Sequence, residues 1–296
     1  MTLSTLHPPI QRAKRLTQPI QRALTATGCP DAAIQAYLTG DSAPLHRFLS
    51  TTPGGNPRNI LGRSTKVEKG EKKGVLTAVV YLSPASEAGI TMCHWATRGC
   101  AAACLGHSSG HLRYSSSRIA RIGKTLWFHF FRADYLATLD LEIAKFVRRA
   151  ERAGKIPALR LNGSSDVLWE RHGVPQRHPT VQFYDYTKAP LQSRAALPPN
   201  YHLTFSISEK PESITEARHW LDAGHNAAIV VGDHAQTAEG GKALAQRLLK
   251  GTLYGYPTTD GDESDIRFRD PAGTLVLLYA KGAAVRDTSG FVYRLN

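Results

Sequence analysis

Residues 202–233, HLTFSISEKPESITEARHWLDAGHNAAIVVGD, carry the clearest indication of the fold. The segments HLTFSIS and AAIVVGD are short and apolar, which is typical of buried strands. Between them, PESITEARHWLDAGH spaces its apolar residues as one face of a helix does. A strand, a helix and a second strand in succession predict a βαβ unit with parallel strands.

The same alternation continues on both sides of this unit. Further strands are predicted at VLTAVVYL (75–82), ALRLNG (158–163), VQFYDYT (181–187) and TLVLLYAKG (274–282). Further helices are predicted at SSSRIARIGKTLWFHFF (115–131), DYLATLDLEIAKFVRRAERAGK (134–155) and QTAEGGKALAQRLLKG (236–251). This order predicts an α/β fold with a covered parallel sheet. We expect a full or partial β/α barrel-like core, with an open doubly wound sheet as the second possibility.

The first quarter of the chain differs from the rest in composition. Residues 1–73 contain eleven Lys and Arg against four Asp and Glu, and two short helical segments (10–28 and 30–50) are interrupted by Pro or Gly. A Gly-, Pro- and Lys-rich stretch follows them. We therefore expect a basic helical N-terminal arm and linker over residues 1–73, and an α/β barrel-like domain over residues 74–296.

The composition and charge restrict the class of protein. Hydrophobic residues make up 42% of the chain and the net charge is +13. No apolar run approaches the ~18 residues of a membrane helix, and no secretory signal pattern opens the chain. Clustered rather than spread cysteines favour a reducing, cytoplasmic location. The positive charge favours nucleic acid or a nucleotide-like anion as the partner. Candidate anion-binding residues lie in the acid-free stretch between Glu87 and Asp134: Arg113, Arg118, Arg121 and Lys124.

A candidate metal site lies in TMCHWATRGCAAACLGHSSGH, residues 91–111. Cys93, Cys100 and Cys104 have the spacing C-x6-C-x3-C, and His107 follows closely. The alanines of CAAAC favour a helical turn, which would bring the last two thiols onto one face. Three outcomes remain open: a [4Fe–4S] cluster on three thiolates, a zinc site completed by a nearby histidine, or buried thiols without metal.

Polar residues follow several predicted strands, at the edge where α/β proteins build their sites. The candidate catalytic residues are Asp166, Asp185, Lys188, Glu209 and Lys281. The turn Asn162-Gly163-Ser164-Ser165 could approach a ligand with its backbone and is the candidate cofactor-binding segment. Asp, Asn, Gly and Ser after a strand are also turn formers and helix caps, whereas Glu209 and Lys281 are poor turn residues. Asp260, Asp262 and Asp265 form a further acidic loop that could hold a divalent metal ion.

The region from Val75 to Arg294 resembles an uncharacterised family of phage- and plasmid-borne proteins. The residues that carry the resemblance are the cysteine segment, RLNGSSDVLWE, FYDYTK, LTFSISE, DGDESDIRF and the AKG and SGF motifs near the end. In layout, three cysteines after the first strand of a β/α series are also similar to radical SAM enzymes. That resemblance implies a [4Fe–4S] cluster and S-adenosylmethionine as cofactors, although the cysteine spacing differs from the usual C-x3-C-x2-C.

Three functions are compatible with these features. The first is an iron–sulfur, radical-SAM-like enzyme of a mobile element that acts on an anionic substrate, either a nucleotide or nucleic acid. The second is a phage or plasmid nucleic-acid-binding protein with a structural zinc or no metal, in which charge and aromatic stacking hold the strand. Its candidate stacking residues are Trp95, Trp127, Tyr184 and Tyr186. The third is a divalent-metal-dependent hydrolase built on the acidic loop.

Overall fold

The computed structural model describes residues 14–51, 59–62, 72–108, 110–194 and 197–294. Its α-helices are α1 (Gln18–Ala26), α2 (Asp31–Leu38), α3 (Ala43–Ser50), α4 (Arg98–Ala102), α5 (Leu105–Ser108), α6 (Ser115–Phe130), α7 (Arg132–Arg152), α8 (Val174–Arg177), α9 (Glu212–Asp222) and α10 (Ala238–Leu248). Its strands are β1 (Leu61–Gly62), β2 (Val75–Val80), β3 (Ile156–Arg160), β4 (Gln182–Thr187), β5 (Tyr201–Ser206), β6 (Asn226–Gly232), β7 (Thr252–Leu253), β8 (Tyr256–Asp260), β9 (Leu275–Tyr279) and β10 (Tyr293–Arg294).

The longest helix shows how the sequence pattern produces an element. In α7, Leu139, Ile143, Phe146 and Ala150 are buried, and their spacing of three and four residues places them on one face. The helix carries an acid in its first turn and arginines in its last, as the helix dipole favours. Gly154 follows at φ +61°, a backbone conformation that ends helices at little cost to glycine.

The strands form one mixed sheet that is mostly parallel. Within the described ranges its order is β1-β2-β3-β4-β5-β6-β9-β8-β7, and β10 pairs with β6. The pairs β1–β2 and β7–β8 are antiparallel, and the other pairs are parallel. The α/β class is therefore confirmed. The predicted barrel is not: the described strands leave the sheet open, ending at β1 and β7.

The order of the central strands can be compared with that of the doubly wound sheet, the second predicted architecture. From β2 to β6, each strand pairs with the next strand along the chain, so the strand order does not reverse in this part of the sheet. A doubly wound sheet reverses its order at a switch point. The described strands depart from sequential order at the far edge, where β9 pairs with β6 and β8 lies beyond it.

The two faces of the sheet differ in chemistry. One, the helix face, packs its side chains with the helices in the main apolar core. Its strand residues include Leu159, Phe183, Leu203, Ile229 and Leu277. The other, the polar face, carries the alternate residues of the same strands, since side chains in a strand point to opposite sides. The residues that define the polar face are Thr77, Arg160, Tyr184, Tyr186, His202, Thr204 and Ser206.

The described N-terminal helices belong to the main apolar core. Ile20 of α1, Ile34 of α2 and Leu45 of α3 are buried in this core. The same cluster contains Ile122 and Leu126 of α6, and both α1 and α3 contact α6. Part of the predicted arm and linker (residues 1–13, 52–58 and 63–71) lies outside the described residues. None of the helices described is long and apolar enough to cross a membrane.

Candidate functional site at the carboxyl edge of the sheet

The cysteine segment lies between β2 and α6. Thr97 caps α4 by accepting a hydrogen bond from the backbone N–H of Cys100 (3.1 Å). The predicted helical turn over CAAAC is therefore present, but α4 ends at Ala102, so Cys104 follows the helix rather than continuing it.

The three thiols are close enough to act on one another electrostatically. Burial raises the pKa of Cys93 to about 12; the charges of Asp166, Cys104 and Cys100 act in the same direction, and a hydrogen bond from Ala85 opposes them. Burial also raises the pKa of Cys100, and the charge of Lys188 opposes this. Without a metal, Cys93 and Cys100 are protonated near neutral pH.

Lys188 follows β4 and extends into the same region. Its Nζ donates to the carbonyl and hydroxyl oxygens of Ser206 (2.9 Å each) and lies 5.0 Å from the ring centroid of Phe291. Burial lowers the pKa of Lys188, while the charges of Cys100, Asp166 and Glu209 act to raise it. The lysine is thus surrounded by the acidic groups that the sequence predicts at this edge.

Glu209, which follows β5, ties the cysteine segment to the sheet. Its carboxylate accepts hydrogen bonds from the Thr97 hydroxyl (2.7 Å) and the Gly99 backbone N–H (2.8 Å). Partial burial acts to raise the pKa of Glu209, but these two bonds and the charge of Lys188 outweigh it, so the pKa is below its usual value. Glu209 is therefore ionised at neutral pH and stabilises the start of α4.

The C-terminal segment covers this part of the cysteine segment. A Cβ on Gly99 would lie 2.2 Å from Ser289 Oγ and 2.9 Å from Phe291 Cβ. The absence of a side chain at Gly99 therefore allows the chain to pass beneath residues 289–291. Phe291 in turn lies over Lys188, so residues 289–291 cover both the start of α4 and Lys188.

The predicted cofactor-binding turn holds itself together by hydrogen bonds. Asn162 Oδ1 accepts from Ser165 Oγ (3.0 Å), the Val167 N–H (2.9 Å) and Trp169 Nε1 (3.0 Å). Ser164 Oγ donates to a carbonyl at the end of β2, and the Ser164 carbonyl lies 4.0 Å from Cys93 Sγ. This turn therefore borders the thiols with its backbone.

Gly163 allows a second close approach. Its N–H donates to the Val80 carbonyl (3.0 Å), which continues the β2–β3 pairing beyond the strands. A Cβ at this position would lie 2.4 Å from Val79 Cγ1 and 2.8 Å from the Tyr81 ring. The two strands can therefore remain together at the site edge only with glycine here.

Asp166 belongs to a buried ion-pair group. Its carboxylate accepts from Thr187 Oγ1 and the Lys188 N–H (2.8 Å each) and pairs with Arg194 (3.3 Å). Arg194 also donates to both carboxylate oxygens of Glu170 (3.1 and 3.0 Å). Burial raises the pKa of Asp166, and the charge of Arg194 opposes this shift. Asp166 therefore connects the turn after β3 to the end of β4.

Asp185 lies on the helix face, opposite to Tyr184 and Tyr186. It is fully buried and accepts from the Leu161 N–H (3.1 Å), the Asn162 N–H (2.9 Å) and the Tyr201 hydroxyl (2.9 Å). Burial raises its pKa to about 7, against the opposing charge of Arg160. Its hydrogen bonds position the turn that begins at Asn162.

The remaining acidic and lysine candidates pair with each other. Lys281 pairs with Asp262 and lies 4.2 Å from the Tyr279 ring centroid. Asp260 Oδ1 accepts from the Asp262 N–H (2.8 Å), as in a turn. Asp265 acts through its charge on Arg160. Asp262 and Asp265 of the acidic loop therefore already interact with Lys281 and Arg160 of the same chain.

The predicted anion-binding residues are divided between surface and interior. Arg113 is exposed, and Arg118 is exposed and pairs with Glu87 (3.1 Å). Arg121 is buried and donates to the Leu112 carbonyl (2.8 Å). Lys124 is also buried and donates to the Ile60 carbonyl (3.2 Å).

The fourth metal-ligand candidate cannot be located from the described side chains. His107 lies in α5, and its side chain is outside the described set. Among the residues described, no group of three or more His, Cys, Asp or Glu is arranged to hold a metal ion. The predicted aromatic stacking residues are also divided: Trp127 and Tyr184 are buried, whereas Trp95 and Tyr186 are half-buried.

A separate cavity of about 510 Å³ lies between α3, β1, α6 and α7. The polar groups that line it include His46, Asp134 and Glu142. Asp134 accepts from Trp127 Nε1 (2.7 Å), and Glu142 accepts from the Ile60 N–H (2.9 Å). Since these carboxylates serve the packing of the helices, and no candidate catalytic residue lines the cavity, we place the functional site at the carboxyl edge of the sheet.

Comparison with known proteins assigns the chain to a family. The model of the family described as Gene product 88 matches residues 58–295. The chain belongs to the Gene product 88 family. This is an uncharacterised phage-type family, which confirms that part of the predicted resemblance. The comparison gives no support to the radical SAM resemblance. No curated protein and no solved structure matches the chain.

The sequence reasoning missed the residues of the polar face. Arg160 was read only as part of a strand, and Tyr186 only as a candidate for stacking on nucleic acid. A period-two pattern could have found them: in YDYTK, Tyr184, Tyr186 and Lys188 alternate with residues of the helix face. A buried parallel sheet usually shows continuous apolar runs, so polar and aromatic residues at every second position indicate a face with another purpose.

Proposed function

We propose that this protein is an enzyme that carries an iron–sulfur cluster on Cys93, Cys100 and Cys104 and acts on an anionic substrate at the carboxyl edge of the sheet. The observation that carries the proposal is that Cys93 and Cys104 border the same turn: Cys93 Sγ lies 4.0 Å from the Ser164 carbonyl, and a Cβ on Gly106 would lie 3.2 Å from both Cys104 Sγ and Ser164 Cβ. We also propose that the sheet curves around its polar face as a partial barrel, which the sequential order β2–β6 supports.

The chemistry of the donor set fits such a group, although the three thiols, as the structure describes them, are not arranged as metal ligands. Thiolates are the ligands of iron–sulfur clusters, and three of them leave one iron of a four-iron cluster free for another ligand. When the cluster is bound, it supplies an electron to a ligand of the open iron, for which S-adenosylmethionine is the candidate. The thiols have raised pKa values in the free protein, so metal binding would release their protons.

The chain's own residues have separate tasks in this proposal. The turn from Asn162 to Ser165 borders Cys93 and presents backbone groups at the site. Glu209 holds the N-terminus of α4 and with it the position of Cys100. Lys188 supplies a positive charge next to the thiols, where an anionic substrate group would be held.

The test is to purify the protein without oxygen and to measure iron, sulfide and zinc per chain. We expect about four irons with broad visible absorption, lost in Cys100→Ala. Cys29→Ala is the matched control, because Cys29 is buried in the core beside α1 and α2, apart from the three clustered cysteines. Its iron content should equal that of the wild type.

Two results would overturn the cluster. A colourless protein with about one zinc would favour the nucleic-acid-binding alternative, which predicts steeply salt-dependent binding to DNA or RNA. A protein that takes up neither metal after reconstitution would leave the thiols as packing residues. The hydrolase alternative has less support, because Asp262 already pairs with Lys281.

A further inference from the structure

The polar face contains buried donors and acceptors that lack partners among the described residues. It is formed mainly by the alternate residues of β3, β4 and β5, which lie in register: Tyr184 is opposite His202 and Tyr186 is opposite Thr204. The main cover identified in the described part of the chain is the segment Ile266–Arg269, which packs on β4 and β5. Tyr184 packs with Ile266 and Phe268 in a small apolar cluster beneath this cover, and polar side chains occupy the rest of the face on β3, β4 and β5.

Arg160 is the most unusual member of this face. Its guanidinium carbon lies 5.8 Å from the ring centroid of Tyr184 and 5.7 Å from that of Tyr186. Its Nε is buried without a hydrogen-bond partner, and among the described residues the guanidinium is held by the two rings and by the charges of Asp265 and Asp185. An unpaired buried donor costs stability, so retaining one here suggests that it has a partner outside the chain.

Two further polar groups on this face also lack hydrogen-bond partners among the described residues. Thr204 Oγ1 and His202 Nε2 are both buried without a hydrogen-bond partner in the ranges that the structure describes. Burial lowers the pKa of His202 to about 4, and the charges of His225 and Arg267 act in the same direction, so its ring is neutral near pH 7. The three unpaired groups come from β3 and β5, on either side of β4, and face the same side of the sheet.

Part of this face is exposed at the surface of the protein. Arg160, Tyr186, His202 and Ser206 are half-buried, although protein surrounds them on most sides. Lys188 continues the alternation of Tyr184 and Tyr186 and bonds to Ser206, so the strip leads to the carboxyl edge. The strip therefore ends beside the site described above.

We propose that the polar face is a binding site for the anionic end of a small ligand, a phosphate or carboxylate group that accepts hydrogen bonds from Arg160 and Thr204. Two oxygens of a carboxylate or a phosphate group match the paired N–H donors of a guanidinium, and the tyrosine rings hold the guanidinium plane in place. The inference goes beyond the proposed function, because this site needs no metal and involves residues that the sequence-based site did not include.

The test is thermal unfolding of the full chain in rising concentrations of inorganic phosphate or of succinate, each against sodium chloride at equal ionic strength. Either anion should raise the melting temperature of the wild type beyond the effect of chloride. Stabilisation by phosphate alone identifies a phosphate-bearing ligand, and stabilisation by succinate alone identifies a carboxylate-bearing one.

Arg160→Met should weaken the apparent binding about tenfold or more, since hydrogen bonds between charged groups contribute ~1.5–3 kcal/mol. Without added anion this variant should unfold at a lower temperature than the wild type, because Asp265 and Asp185 lose a compensating positive charge, so binding is measured as the shift that each anion produces in each protein. Arg148→Met is the matched control, since Arg148 is exposed on α7, away from the polar face. If Arg160→Met does not fold, Thr204→Val provides the same comparison.

The proposal is overturned if neither anion stabilises the wild type more than chloride does, or if Arg160→Met (or Thr204→Val) retains the full effect. Repeating the titration with Cys100→Ala separates this site from the proposed cluster. Anion binding that survives in this metal-free variant supports the polar-face site whatever the outcome for the cluster.

Discussion

At the scale of single residues, neighbours in one strand have opposite roles. Tyr184 and Tyr186 face the polar side, whereas Asp185 between them is fully buried on the helix face and fixes the turn after β3. A carboxylate with three hydrogen bonds would ordinarily have a low pKa, but burial dominates at Asp185 and raises its pKa to about 7. The contribution of Asp185 to stability therefore decreases as the pH rises, whereas that of most carboxylates increases.

The pH dependence of Asp185→Asn tests this assignment. Because the folded pKa of Asp185 is above the unfolded value of ~3.9, the folded state binds the extra proton, and the stability that Asp185 contributes below pH ~4 is lost as the pH rises towards 7. The free energy of unfolding of the wild type relative to Asp185→Asn should fall across this window, by at most ~1.4 kcal/mol per pH unit. Urea denaturation at pH 4 to 8 measures it. Parallel profiles for the two proteins would show that Asp185 titrates normally.

Arg194 is the residue on which two buried carboxylates depend. It is 8% exposed and bonds to Glu170 and Asp166. Arg194→Met should destabilise the protein by ~3–5 kcal/mol, because it leaves buried charges without a partner. Arg148→Met is the control: Arg148 is exposed on α7, so the change should stay within about 0.5 kcal/mol. Chemical denaturation of both variants gives the comparison, and equal losses would contradict a structural role for Arg194.

At the scale of elements, the cysteine segment depends on one glycine. A side chain at Gly99 would collide with Ser289 and Phe291, which cover α4. Gly99→Ala should therefore destabilise the protein by ~1–3 kcal/mol, as overpacking does. It should also increase the reaction rate of Cys100 with a thiol reagent, since the covering segment must move.

Two further variants test whether the collision at Gly99 causes the loss of stability. Gly251→Ala should leave stability unchanged, because a Cβ there meets nothing within 4 Å. Adding Ser289→Ala to Gly99→Ala should restore part of the loss by removing the nearest colliding atom. If the double variant is no better than the single one, the contact with Ser289 is not the cause.

Much of the element pattern could be predicted from the sequence, because each strand or helix is determined by local periodicity. The βαβ unit around α9 and the helix α7 lie close to their predicted positions. The edge strand β8 was missed, because YPTTD contains a proline and lies in a stretch that resembles a turn. The role of Asp185 could not be predicted either, since it depends on backbone groups that β3 brings from 23 and 24 residues away.

At the scale of the whole molecule, the candidate site is assembled from distant parts of the chain. The cysteine segment, the turn after β3, Lys188 after β4 and the covering segment near Phe291 meet at one edge of the sheet. The topology explains this meeting, because parallel strands in sequential order bring their carboxyl ends to the same edge. Which face of each strand serves the site depends on register and on what covers the sheet, and the composition of single segments does not contain that information.

The described N-terminal helices pack on the part of the chain that the family model matches. The family match begins at residue 58, after α3, yet buried residues of α1, α2 and α3 share one apolar cluster with α6. Deleting residues 1–50 would uncover the side chains of α6 that these helices bury, Ile122 and Leu126 among them. Burial of one such side chain contributes ~1.5–3 kcal/mol to the free energy of unfolding. Exposing several of them together removes at least as much free energy as an ordinary domain has in total.

We therefore expect the chain that lacks residues 1–50 to aggregate or to unfold without a cooperative transition. Size-exclusion chromatography and thermal unfolding measure both. A chain that lacks only residues 1–13 is the control, because it keeps every buried residue described in α1, α2 and α3. If the longer deletion instead gives a monomer that melts near the temperature of the full chain, residues 51–296 fold alone, and the first fifty residues are an independent addition to the family's common part.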